Sequence, residues 1–227
     1  MTYSGTDVLE NFIEAVNYNE HLISRVLRWA PPKVKGFFDF GSGIGTFASN
    51  LRTKGYSITC IEPDKLHCEI LEQNGFSIRA GLDEIPNDTI DYLYSLNVLE
   101  HIQEDQKILD QMYQKASKGG KIYIFVPAFS VLYSSFDKRV GHVRRYSQDD
   151  LLAKVKKAGF VIETTKYIDS IGFFAALVYK FLDNGKGELK LKQLLFYDRV
   201  VLPFSLAFDF IFSKFFGKNI EVIAYKK

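Results

Sequence analysis

Three glycines within five residues, Gly41, Gly43 and Gly45, stand between a short run of buried-strand character, Phe37 to Phe40, and a segment of helical period, Thr46 to Lys54. A strand-to-helix turn of this kind often needs positive φ, and without a Cβ a ligand can approach the backbone closely. The helix N-terminus then offers free N–H donors to an anionic group. Gly55 closes the helix and Ser57 to Ile61 reads as a second strand, so the turn commits this stretch to a βαβ unit.

The same alternation continues and predicts an α/β sheet. Lys65 to Asn74 reads as a helix, Ser77 to Arg79 as a strand, Ile90 to Ser95 as a fourth strand and Glu104 to Ser117 as a helix. Lys121 to Val126 is apolar on both faces, as a central parallel strand should be. Ser147 and Asp150 form a capping-box pattern for a helix ending at Ala158, and Val161 to Tyr167 is a sixth strand. Ahead of the glycine turn, one helix is expected from Asp7 to Trp29, stopped by Pro31 and Pro32. A last strand, Ile220 to Tyr225, lies too far from the sixth for a bare loop, so Ile171 to Leu182 and Leu191 to Phe216 are expected to form a helical cap between neighbouring strands. The expected division is a sheet domain of residues 1–168 and 218–227, with the cap at 169–217.

Composition narrows the function classes. Lys and Arg number 29 against 27 Asp and Glu, a net charge of +2, which disfavours a dedicated nucleic-acid binder. Cys60 and Cys68 make neither a disulfide framework nor a metal-binding pair, and no metal is expected. A reducing cytoplasm fits this cysteine usage. Asp7, Glu10 and Glu14 interrupt the N-terminal segment, so no signal peptide is expected.

Glu62 ends the second strand, where a carboxylate can accept hydrogen bonds from a ribose diol. A dinucleotide fingerprint would read GxGxxG, but here the loop is GxGxG with Thr46 in the sixth place. Asp39 puts negative charge beside the loop, which suits a cationic amino group or sulfonium better than a pyrophosphate. Together Asp39-Phe40-Gly41-Ser42-Gly43-Ile44-Gly45, Ile61-Glu62-Pro63-Asp64 and Asn97-Val98-Leu99-Glu100-His101-Ile102 resemble a class I S-adenosylmethionine-dependent methyltransferase. Lys118-Gly119-Gly120 and Ala158-Gly159-Phe160 extend the resemblance over most of the chain. It is also similar to members associated with cell-envelope glycan or glycolipid synthesis.

The resemblance implies a Rossmann-like three-layer sandwich with a mostly parallel seven-stranded sheet. It implies that Gly41, Ser42, Gly43 and Gly45 line the methionine part of the cofactor, that Asp39 organises its amino group and that Glu62 and Pro63 flank its ribose. Asn97 would lie beside the sulfonium, and adenine would meet the backbone around Leu82, or Asp83 if the register is displaced, because Gly81 occupies the family's usual acidic position. Tyr18 either closes over the cofactor or packs its helix on the sheet.

The acceptor is less constrained. No Pro-Pro-aromatic follows Asn97 and neither cysteine follows a proline, which disfavours methylation of base amino groups and cytosine C5 chemistry. The loop after the fifth strand gathers Asp137, His142, Arg144 and Arg145. These either grip an anionic acceptor, with His142 as base, or pair with each other to hold the loop. In the cap, Asp198, Ser205, Asp209 and Ser213 fall on one polar stripe of an otherwise apolar helix. Such a helix buries in the cap, packs on a second subunit in a homodimer, or lies at the inner face of a membrane. The expected activity is methyl transfer to an oxygen or nitrogen of a small-molecule, glycan or lipid-linked acceptor. The competing readings are a cofactor-binding module serving a partner enzyme, and an RNA or protein methyltransferase.

Overall fold

The structure is a computed structural model that describes residues 6–32, 34 and 36–227. Helices α1 (Thr6–Ile13) and α2 (Val16–Trp29) lead into β1 (Gly36–Phe40), α3 (Thr46–Thr53), β2 (Ser57–Ile61), α4 (Lys65–Gln73), β3 (Ser77–Arg79) and β4 (Ile90–Leu96). Then follow α5 (Asp105–Lys115), β5 (Ala116–Pro127), the short α6 (Ser135–Arg139), α7 (Gln148–Lys157) and β6 (Val161–Ile168). Helices α8 (Ser170–Leu182), α9 (Leu191–Phe196) and α10 (Leu202–Phe212) occupy the connection to β7 (Asn219–Tyr225).

The seven strands form one sheet in the order β3-β2-β1-β4-β5-β7-β6. All neighbours are parallel except β7, which runs antiparallel to both β5 and β6. One face buries Phe37, Tyr92, Tyr94 and Tyr123 beneath α2, α3 and the start of α10. The other buries Leu93, Ile122, Ile124 and Val222 beneath α5 and α7. This is the Rossmann-like α/β sandwich. Helix α2 is pinned to the sheet by a bidentate Arg25–Glu221 pair, with the Tyr123 hydroxyl donating to Glu221 at 2.8 Å.

Three boundaries differ from the sequence reading. The expected single helix over Asp7 to Trp29 breaks at Glu14 and Ala15, where Ala15 takes a non-helical conformation (φ −81°, ψ 66°) and is fully buried. Asn19 donates to the Phe12 carbonyl at 2.8 Å, which satisfies the end of α1. The expected continuous helix over Leu191 to Phe216 is divided by a π-helical segment, Tyr197–Val201, just ahead of Pro203, whose missing N–H and ring an α-helical interior does not tolerate. Finally β5 starts at Ala116 rather than Lys121, because Gly119 and Gly120 form an irregularity inside the strand instead of ending a helix. A Cβ on Gly120 would lie 2.5 Å from the Ile90 carbonyl oxygen, so only glycine lets β4 and β5 approach there.

Candidate functional site

The C-terminal ends of β1, β2, β4 and β5 reach the same edge of the sheet, and the antiparallel β7 begins there, with Asn219 opposite Pro127. This edge is where open α/β sheets bind ligands. The glycine turn leaves β1 with Gly41, Gly43 and Gly45 all at positive φ. Gly41 has no room for a side chain, since a Cβ would sit 2.5 Å from the Val98 methyls. Ser42 ties the turn by donating to the Asp39 carbonyl at 2.8 Å.

Loop and acid meet directly. Glu62 Oε2 accepts from the Gly43 N–H at 2.7 Å and Oε1 from the Asp64 N–H at 2.9 Å. Pro63, between them, is exposed, and Asp64 caps α4. His67 stands 3.8 Å from Glu62, and the hydrogen bond to that carboxylate raises its pKa. Asp39 is buried beside Tyr94, with its Oδ2 lacking a hydrogen-bond partner. Burial pushes its pKa up to about 7, opposed by Tyr94 and increased by the charge of Glu62.

Asn97 follows β4 at φ +55°, and its N–H donates to the Phe125 carbonyl at 2.8 Å. Its side-chain amide lies 3.4 Å from the Tyr18 hydroxyl, while Asn219 reaches its carbonyl oxygen at 3.5 Å. Thus Tyr18, from α2, comes to the same edge as Asn97. Leu82 is buried in the core, in a short turn after β3, with the Asp83 side chain folded back against Gly81. Asn219 and Tyr94 were not singled out in the sequence: both lie on strands whose alternation reads simply as core.

Beyond β5 the chain wraps back over the end of β4. Asp137 accepts from Ser134 as the box of α6, and its Oδ1 meets His142 Nδ1 at 2.7 Å and Arg145 Nε at 2.8 Å. Burial opposes ionisation of Asp137, but the His142 hydrogen bond and the Arg145 charge hold its pKa down to about 2. Arg144 turns away to Asp105 at 2.7 Å. His142 Nε2 lies 3.7 Å from Glu100, whose carboxylate is fully buried with neither oxygen hydrogen-bonded. Burial pushes Glu100 up to about 8 and, with the charge of His142, lowers His101 to about 4. The rings of His101 and His142 meet edge to face at 4.6 Å.

A family model described as a methyltransferase domain matches residues 13–165. The chain belongs to this methyltransferase domain family. An uncharacterized methyltransferase of Mycobacterium leprae is 28% identical over 102 residues, which span 42% of this chain and 38% of that protein. The match therefore covers well under half of the relative's length. Among solved structures, the fold is similar to a SAM dependent methyltransferase from Archaeoglobus fulgidus (TM-score 0.61, 15% identity, 92% of this chain and 94% of that one). It is also similar to Haemonchus contortus phosphoethanolamine N-methyltransferase 2, solved with S-adenosyl-L-methionine (TM-score 0.60, 18% identity, 91% and 52%).

S-adenosylmethionine is the cofactor that goes with this family, and the chain's own residues fit it. The orphaned, buried Asp39 oxygen is a place for a cationic group, and at Gly43 a Cβ would come within 3.3 Å of Leu9 of α1, so the turn leaves bare backbone facing a covering helix.

Proposed function

We propose that this methyltransferase-family protein moves the methyl group of S-adenosylmethionine to an oxygen or nitrogen of a lipid-linked or amphipathic acceptor, taken at the surface of an anionic bilayer. The bound cofactor supplies an electrophilic methyl on a sulfonium. What the chain adds is position: Asp39 and the glycine turn hold the cationic end, Glu62 turns from Gly43 to a ribose diol, and Asn97 with Tyr18 closes the sulfonium side. Alignment of nucleophile and methyl can supply roughly 7–11 kcal/mol of rate enhancement. His142, fixed at Nδ1 by Asp137, is oriented but faces Glu100 rather than open solvent.

The acceptor class rests on the orientation of the cap. The polar stripe of α10 points inward: Asp209 accepts from the Asp169 and Ser170 N–H groups at 2.8 Å each, and Ser205 from Ile171 N–H at 2.8 Å, so together they cap α8. The apolar residues consequently face out. Phe181, Leu182, Phe204, Phe210, Ile211 and Phe215 are 62–94% exposed. In the same inserted segment Lys186, Lys190, Lys192, Arg199 and Lys214 are exposed against one exposed acid, Glu188, with Asp183 half-buried and Asp169, Asp198 and Asp209 buried. An apolar face with a cationic rim is complementary to an anionic lipid surface. No helix among the described residues is long and apolar enough to cross a membrane, so contact would be lateral.

The test is to incubate the protein with methyl-labelled cofactor and a host extract, then count label in lipid, metabolite, protein and nucleic-acid fractions. Label in the organic phase that disappears in Glu62→Ala supports the reading. Label confined to aqueous metabolites or macromolecules overturns the acceptor class, and no label anywhere overturns the activity.

A further inference from the structure

Among the described residues, Glu100 is a carboxylate sealed from water with neither oxygen hydrogen-bonded. A buried anion without a partner is strongly unfavourable, so a site that keeps one is built around a cation or a shared proton. Two imidazoles stand beside it. One ligand atom from each of Glu100, His101 and His142 can be chosen so that all three lie within 4.8 Å of one another. His142 Nε2 to Glu100 Oε1 is 3.7 Å, close to the roughly 3.4 Å that two ligand atoms at about 2.1 Å from a tetrahedral ion would have.

The surroundings are those of a metal-binding histidine. Asp137 accepts at His142 Nδ1 at 2.7 Å, which fixes the ring and leaves Nε2 as the nitrogen facing Glu100. Such carboxylate–histidine contacts orient metal ligands and raise their basicity. Arg145, whose charge also reaches Glu100, would repel a cation, and that repulsion is offset in part because Asp137 holds its Nε at 2.8 Å and the Ala128 carbonyl accepts from its Nη1 at 3.3 Å. The backbone locks the pieces together: Val143 N–H donates to the Glu100 carbonyl and His142 N–H to the Asp137 carbonyl, both at 2.8 Å.

The geometry points to a divalent transition-metal site in which Glu100, His101 and His142 are the protein ligands; Glu100 is sealed, and the half-buried His101 and His142 are where an oxygen of the acceptor would reach the ion. Two imidazoles and one carboxylate suit manganese, iron, cobalt or zinc rather than magnesium or calcium. Glu100 and His101 follow Asn97 on the turn after β4, and His142 is brought to them by the loop after α6, which gives the site its place in the reaction; this part rests on the methyl-transfer reading above. An acceptor hydroxyl ligated there loses its proton to water more readily. Its oxygen lone pair then forms the bond to the methyl carbon as the carbon–sulfur bond breaks, with the bonding electrons staying on sulfur. Cofactor and acceptor account for every atom, and the metal does not change oxidation state. The acceptor atom favoured by this site is therefore oxygen.

The binding test needs no acceptor. The full tag-free chain, stripped with a chelator and dialysed, is titrated with Mn2+, following the free ion by electron paramagnetic resonance, and with Co2+, following visible absorption. One ion per chain is expected, with a Co2+ spectrum of low coordination number. Glu100→Gln and His142→Asn should each weaken binding at least about tenfold, while S-adenosylmethionine affinity, measured in parallel, shows that each variant is folded. Absence of bound metal in the wild-type chain, or unchanged metal affinity in both folded variants, overturns the site. Metal bound without methyl transfer to any fraction would leave the site standing and remove the activity reading; methyl transfer unaffected by chelation would remove the metal's role alone.

Discussion

Asp198 Oδ1 accepts a hydrogen bond from the Tyr18 N–H at 2.8 Å across a sequence separation of 180 residues. Its Oδ2 accepts from the Asn17 N–H at 3.2 Å and side-chain amide at 3.1 Å. Helix α2 has no side-chain cap of its own, because Ala15 stands at the N-cap position. The inserted helices therefore cap the helix that delivers Tyr18 to Asn97. Replacing Asp198 by Ala leaves the buried Tyr18 N–H without an acceptor and should cost about 1–3 kcal/mol, read as a lower urea midpoint. The same variant should bind S-adenosylmethionine more weakly, since Tyr18 loses its anchor. Undiminished stability would mean that Asp198 is not what holds α2.

Asp39 makes cofactor binding sensitive to pH. Burial raises its pKa to about 7, so in the free protein near pH 6 the carboxyl is mostly protonated. A cationic ligand group stabilises the ionised form, so binding must expel that proton. Affinity should accordingly rise with pH, by up to about tenfold per unit below 7, and level off above it. Asp39→Asn should bind more weakly and lose this dependence. A flat profile in the wild type, measured by calorimetry between pH 5 and 8, would show that Asp39 does not face the cation.

Gly41 is at φ +76° with Val98 where its side chain would be. Gly41→Ala combines left-handed strain with a collision against a short branched side chain, so Val98 and the turn before Asn97 must move. The expected result is a loss of about 1–3 kcal/mol in stability, with cofactor affinity falling further than Gly43→Ala causes, because the space at Gly43 is less crowded. Equal cofactor affinity in the two variants would argue against the close packing of Val98 on the turn.

The parts of the fold written in local pattern were legible in the sequence. Ser57–Ile61 and Ser77–Arg79 are bounded by glycines and turns, and the structure has them as read. Ser147 caps α7 by accepting from the Asp150 N–H at 3.2 Å, as the spacing suggested. What escaped was set by distant partners. The start of α2 after Ala15 is capped by Asp198, and no apolar stripe records a hydrogen bond made nearly a whole chain away. The stripe of Asp198, Ser205 and Asp209 was visible, but its direction was not: polar residues on an apolar helix read equally well as a wet face or as caps for neighbouring helices. At the site, Gly41, Glu62 and Asn97 carry motif-like spacing; Glu100 stands in the same run as Asn97, but nothing in that pattern assigns it a role, and only its burial shows both oxygens unpartnered.

The outward face of α10 allows a direct measurement of what it touches. Phe210 and Phe215 are 94% and 70% exposed, so changing both to Ser should leave the denaturation midpoint nearly unchanged, within about 0.5 kcal/mol. If the face meets lipid, each ring that enters the interface contributes on the order of 1 kcal/mol, at the low end of full side-chain burial. The double variant should then partition onto anionic vesicles roughly 10- to 100-fold less than the wild type. Neutral vesicles should bind the wild type more weakly as well, because Lys186, Lys190 and Lys192 lose an attraction of about 1 kcal/mol for each charge near the surface. Co-sedimentation of both proteins with both vesicle types separates the contributions. An apolar effect without a lipid-charge effect would assign the rim to solvent; wild-type binding no better than that of a soluble control, with a dimer in solution that the double variant dissolves, would replace the bilayer with a second copy of the chain.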